Sequence, residues 1–153
     1  MLKLRKNKKG FTLVELIVVI AIMAILAGTI AGVTVSQLNK QTDNTAKSEM
    51  ATLVSQLKQF LLGIKIAPAG TTGDALNKYD YETLEEALEG FATDINNNEG
   101  AGTLTKNANP KAGTHQFGYT IAGTKITFQC TAKSSGKGPL TADYDYADAF
   151  AEA

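Results

Sequence analysis

The chain has 153 residues, fifteen basic and fifteen acidic side chains, no formal net charge, one cysteine, one histidine and no tryptophan. That length accommodates one modest domain beside an anchor, and a lone cysteine excludes an internal disulfide. With His115 in the polar stretch KAGTHQF and no Cys/His ligand set, phosphate loop, dinucleotide fingerprint or G-x-S-x-G elbow, the chain offers no catalytic constellation and no cofactor site, so it does not read as an enzyme.

The charge is unevenly placed. Lys3, Arg5, Lys6, Lys8 and Lys9 crowd the first ten residues with no acid among them. Without those ten, ten basic and fifteen acidic residues remain. An acidic chain is a poor non-specific partner for phosphate backbones, so no nucleic acid is expected. From Gly10 to Val35 the sequence is an almost unbroken apolar run, long enough as a helix to cross a hydrocarbon layer of about 30 Å. The basic flank keeps the N-terminus cytoplasmic by the positive-inside rule. The run carries one charge, Glu15, near its start. A carboxylate there costs about 2.5–3.5 kcal/mol on insertion scales, a cost that an ordinary anchor has no reason to bear. A secretory signal wants a shorter apolar core followed by an A-x-A-like site, which is missing here. A plain signal anchor remains the simplest competitor.

The heptapeptide Gly10-Phe11-Thr12-Leu13-Val14-Glu15-Leu16, behind a basic leader and ahead of an apolar run, resembles the N-terminus of type IV prepilins and pseudopilins. The resemblance implies cleavage between Gly10 and Phe11 by a prepilin peptidase and N-methylation of the new Phe11 amine. It implies that Glu15 pairs with the N-terminal amine of a neighbouring subunit and sets register during assembly. The implied partners are identical copies in a helical filament, an assembly platform, minor pilins and, before assembly, the membrane. The implied fold is the pilin lollipop. Many relatives close a C-terminal loop with a disulfide, which this chain cannot do, and many carry a proline in the anchor helix, where this chain has Gly28 and Gly32. The Gly28-x-x-x-Gly32 spacing suits close helix packing or local softening.

Beyond Val35 the sequence turns polar (Gln37, Asn39, Lys40, Gln41, Thr42, Asp43, Asn44) without a proline before Pro68. Met50, Leu53, Val54, Leu57, Phe60, Leu61 and Ile64 then recur at helical spacing. One helix from about Phe11 to about Ile64 is expected, stopped by Gly63 and Pro68. Residues 67–73 read as a loop. Residues 81–89 read as a short helix, capped by Asp80, ended by Gly90, with Leu84, Ala87, Leu88 and Phe91 turned inward. Its glutamates read as a solvated face.

Asp94, Asn96 and Asn98 have the first three ligand positions of a calcium loop. However, glycine falls at position 7 and Thr105 stands where a glutamate belongs, so the reading is a solvated turn with those three as the metal candidates. Asp143, Asp145 and Asp148 raise the same question. Phe117–Ile121 and Thr124–Cys130 alternate like a hairpin. A loop at Ala122-Gly123 would set Tyr119 opposite Ile126 and Phe117 opposite Phe128, apolar side chains on one face and Thr120, Lys125 and Thr127 on the other. That face would cover the Met50–Ile64 stripe, and Cys130 reads as a small core residue. A third strand is expected from Thr103–Thr105 or near Leu140, and the acidic C-terminus reads as either a fraying helix or an extended tail.

The expectation is an α+β chain: leader 1–10, transmembrane or filament-core helix 11–35, amphipathic continuation 36–65, and a head 66–153 built on an antiparallel sheet with its hairpin at about 117–130. The function implied is a structural pilus subunit, membrane-anchored before assembly and extracellular after it. A pseudopilin of a type II secretion or competence apparatus is the alternative within the family. A signal-anchored surface binding protein is the alternative outside it.

Overall fold

No proline interrupts the chain from Leu13 to Gly63, and one helix, α1 (Leu13–Gly63), occupies this whole stretch in a computed structural model that describes residues 10–100 and 102–147. The leader expected at 1–10, apart from Gly10, and the C-terminal tail with Asp148 lie outside the described residues. The chain divides into two compact units between Leu38 and Asn39. In the first, the apolar side chains of α1 from Leu13 to Leu38 are all exposed, and this part of the helix has the length and composition to cross a membrane.

The second unit is an α+β arrangement of the rest of α1, helix α2 (Leu84–Glu99) and four strands: β1 (Leu104–Lys106), β2 (Phe117–Ala122), β3 (Lys125–Thr131) and β4 (Pro139–Asp145). The strands lie in the order β1-β2-β3-β4. From α1 the core takes Ala46, Met50, Leu53, Leu57 and Leu61, the i, i+3/i+4 stripe expected from the sequence. α2 supplies Ala87, Leu88, Phe91, Ala92 and Ile95, and the sheet supplies Phe117, Tyr119, Ile126, Phe128, Cys130 and Leu140. Phe60 of α1 packs between Tyr81 and Phe91, with ring centroids 6.0 and 5.5 Å away. Cys130 is a buried free thiol, and burial pushes its pKa up.

Several expectations need correction. The sheet is mixed: β1 runs parallel to β2, Leu104 facing Phe117, while β2-β3 and β3-β4 are antiparallel. The connection 107–116 that returns the chain contains no helix and pairs laterally instead. Thr131 donates its N–H to the Pro110 carbonyl (2.7 Å), and the Gln129 amide donates to the Ala108 carbonyl (2.9 Å). The short helix does not span 81–89 but Leu84–Glu99. Thr83, not Asp80, is its cap, accepting the Glu86 N–H at 3.2 Å. Gly90 does not end it: a Cβ there would meet the Tyr81 hydroxyl at 2.5 Å, so glycine makes room for that ring inside the helix. Asp94, Asn96 and Asn98 are therefore helical and not a turn or a calcium loop.

The hairpin register differs by two residues. Tyr119 faces Phe128 and Ile121 faces Ile126, around a two-residue turn, Gly123-Thr124. Gly123 at φ +65° supplies the first position of a type II′ turn, which Ala122 could not fill. A shift of two preserves which side chains share a face, so the apolar face expected from alternation is the buried one. Both candidate third strands form, as β1 and β4, and Asp143 and Asp145 belong to β4.

Candidate functional site

At the start of α1, Thr12 and Glu15 close a reciprocal cap. Glu15 Oε2 accepts the Thr12 N–H at 2.9 Å, and Thr12 Oγ1 accepts the Glu15 N–H at 3.3 Å. This is a capping box, in which the residue before the helix and its third residue satisfy each other's backbone donors. Thr-x-x-Glu was visible in the sequence. A second Thr-x-x-Glu, Thr83 to Glu86, starts α2, and there Glu86 Oε2 accepts the Glu82 N–H at 3.0 Å.

Gly10 and Phe11 precede the first turn, both exposed, Phe11 at 88%. Leu13, Val14, Leu16 and Ile17 continue the apolar surface around Glu15. Gly28 and Gly32 lie within regular α1, and a Cβ at either would meet nothing within 4 Å in the isolated chain. Their surfaces are open to another helix. The arrangement at this end is a capped helix whose sides are apolar and unpartnered, with a single carboxylate one turn from the Gly10–Phe11 bond.

Several polar side chains of the second unit have structural roles. Asn96 clamps β1: its Nδ2 donates to the Leu104 carbonyl (2.9 Å), and its Oδ1 accepts the Leu104 N–H (2.8 Å). An amide with both a donor and an acceptor does this, where the sequence suggested a metal ligand. Among the described residues no three His, Cys, Asp or Glu side chains gather as a metal site. Glu85 and Glu89 are not bare: Lys106 Nζ lies 2.5 and 2.8 Å from them, and these partners raise its pKa. Lys125 pairs with Asp143 at 2.8 Å, which raises the lysine and holds the carboxyl low.

Asp43 is the side chain that sequence reading passed over. It is 0% exposed, on α1, and accepts the N–H groups of Lys133 (2.6 Å) and Ser134 (3.2 Å) from the β3–β4 loop. Burial alone would push its carboxyl up. The donors at Ser134 and Lys133 and the charge of Lys137 outweigh that and hold it below the usual carboxylate value. In the sequence it looked like one more polar residue at the helix exit. Burial of a carboxylate becomes legible only once a distant loop arrives with two donors.

His115, at φ +53°, is exposed and its Nδ1 lies 3.1 Å from Glu49 Oε1. The two stand at the rim of a cleft of about 180 Å³ floored by Leu53, Ile95 and Phe117.

The helix start is thus capped and apolar, with exposed sides, while in the second unit Asp43, Asn96, Lys106 and Lys125 are held by partners within the fold. A family model described as the prokaryotic N-terminal methylation motif matches residues 5–31, and this is the leader signature of type IV prepilins. No curated protein and no solved structure matches the chain. The motif supports a pilin-like or pseudopilin protein that is anchored in a membrane before assembly.

Proposed function

We propose that the chain is a structural subunit of a type IV pilus, built into a cell-surface filament of identical copies through α1. The observation that carries this reading is the methylation motif at residues 5–31 running directly into a helix whose apolar side chains are exposed from Leu13 to Leu38. Apolar surface of that extent is covered by lipid or by other helices in any stable state. In this reading a prepilin peptidase cuts between Gly10 and Phe11, Phe11 is N-methylated, and Gly28 and Gly32 let neighbouring helices approach closely. Glu15 docks on the amine of an adjacent Phe11. The net energy of such a buried pair is limited by desolvation. Its use is register, because subunits stacked wrongly leave a charge unpaired. No residue is assigned a catalytic role, and an assembly platform and minor pilins are the accessory partners.

The test is mass spectrometry of the N-terminus of protein sheared from the native cell surface. A terminus at Phe11, heavier by one methyl group, is the expected result. An intact Met1 would leave Glu15 without a partner amine and make the chain a signal-anchored surface protein. A terminus near Gly32 would mean ordinary secretion.

A further inference from the structure

Unpaired lysines gather at one end of the second unit, the end at which the chain enters it at Asn39. Asp43 marks that end. Lys40 and Lys47 stand one turn before and one turn after it on α1. Lys133 sits at the backbone position whose N–H binds Asp43, and Lys137 acts on the same carboxylate electrostatically. Lys111 is brought alongside by its bridge to Thr131, with the following Gly113 so close to α1 that a Cβ would meet Thr42 Cγ2 at 2.7 Å. All five lysines are exposed, and among the described residues none of them makes a direct ion pair. The acids at this end are committed: Asp43 is buried under backbone donors, and Glu49 faces His115. Glu99 lines the same cleft as Glu49. Lys106 and Lys125, away from this end, are both neutralised by carboxylates.

We propose that this lysine cluster is a lipid-docking surface, which rests the unit on anionic headgroups while the chain is anchored before assembly. The proposal depends on the membrane reading of α1. Given that reading, chain connectivity favours lipid over any soluble polyanion. Lys40 follows Val35, the last residue of the apolar run, by five positions, and Asp43 follows it by eight. At about 1.5 Å per helical residue, or about 3.5 Å if extended, the cluster is kept near the headgroup layer. Lysine suits the task, since its stem lies along apolar surface while the ammonium reaches polar headgroups. Attraction of clustered lysines to anionic lipid acts within about a Debye length and weakens with salt. The leader lysines serve the opposite, cytoplasmic face. Leaving the membrane for a filament would break these contacts, so the surface favours the stored subunit over the assembled one.

The experiment reconstitutes the full chain into two sets of vesicles, phosphatidylcholine alone and phosphatidylcholine with one part in three phosphatidylglycerol. Outward lysines are acylated with a membrane-impermeant reagent and quantified by mass spectrometry. Lys40, Lys47, Lys111, Lys133 and Lys137 are expected to react several-fold more slowly on the phosphatidylglycerol vesicles. High salt should restore their reactivity, and Lys58, Lys65 and Lys78 should be unchanged throughout. A triple substitution, Lys111→Gln, Lys133→Gln and Lys137→Gln, is expected to return Lys40 and Lys47 to the rate seen on phosphatidylcholine. Equal rates on both vesicles would overturn the docking surface while leaving the anchor intact. Protection that follows the protein-to-lipid ratio and ignores phosphatidylglycerol would overturn it in favour of a second copy as the occupant. Failure of the chain to float with either vesicle would overturn the membrane reading and the docking surface together.

Discussion

At the scale of single residues, Asp43 and Gly118 carry the second unit. Asp43 holds a loop ninety residues away through two charge-assisted hydrogen bonds. Asp43→Ala would strip both donors of their partner and is expected to cost about 2 kcal/mol, read by urea unfolding at neutral pH. The folded carboxyl titrates below its unfolded value of about 4. The stability it contributes is therefore complete above that unfolded value and is lost as the pH falls through the lower folded one. Asp43→Asn should be less stable than the native chain at about pH 7 and should approach it at about pH 3. A constant difference between the two chains across that range would remove the carboxylate from the account. Gly118 lies where the 107–116 connection crosses β2, and a Cβ there would overlap the Ala108 carbonyl oxygen. Glycine in a strand interior marks such a close approach. Gly118→Ala is expected to destabilise by about 2–3 kcal/mol, since backbone and not a mobile side chain must yield, and a thermal melt would show it.

At the scale of elements, periodicity was legible, while caps, the hairpin turn and long-range contacts were not. The α1 stripe, the hairpin faces and the inward face of α2 follow from periods of 3.6 and 2 that any solvent boundary imposes. The hairpin register depends on one turn, which the sequence reading placed at Ala122-Gly123 and the structure places at Gly123-Thr124. Only the need for a positive φ at the first turn position selects Gly123. Gly90 looked like a stop signal because glycine usually is one after a helix. Here Tyr81 arrives from outside the helix to claim the space. Thr103–Thr105 was a candidate strand, but the parallel direction of β1 was illegible because three residues carry no period. What places them is the Asn96 amide, which copies the pairing of a neighbouring strand. Asn96→Asp keeps the size and loses the donor, so an acceptor then faces the Leu104 carbonyl. The expected cost is about 1–2 kcal/mol, with faster hydrogen exchange at the Leu104 amide than elsewhere in the sheet. Thr83→Ala removes the α2 cap and is expected to cost about 1 kcal/mol.

At the scale of the whole molecule, the question is how one carboxylate serves two states. The sequence made Glu15 legible as an anomaly in an apolar run, and the structure adds that it is occupied within its own chain, closing the cap with Thr12. In the membrane reading proposed above, that cap satisfies a backbone donor which would otherwise be buried unpaired in lipid. The proposed cleavage would make the adjacent Phe11 amine a charged competitor for the same oxygens. Helix capping and intermolecular pairing can be separated by one substitution, because glutamine closes a capping box as glutamate does but carries no charge. Glu15→Gln is therefore expected to leave α1 capped and the Phe11 terminus cut and methylated, as judged by the mass of the membrane-bound subunit. Filament recovered by shearing should fall at least about tenfold if the charge pair is worth about 1.4 kcal/mol or more to incorporation. Glu15→Ala, which loses both roles, should show the same filament defect together with a frayed first turn. Normal filament yield from Glu15→Gln would mean that Glu15 matters as a cap alone, and register would have to come from packing at Gly28 and Gly32 instead.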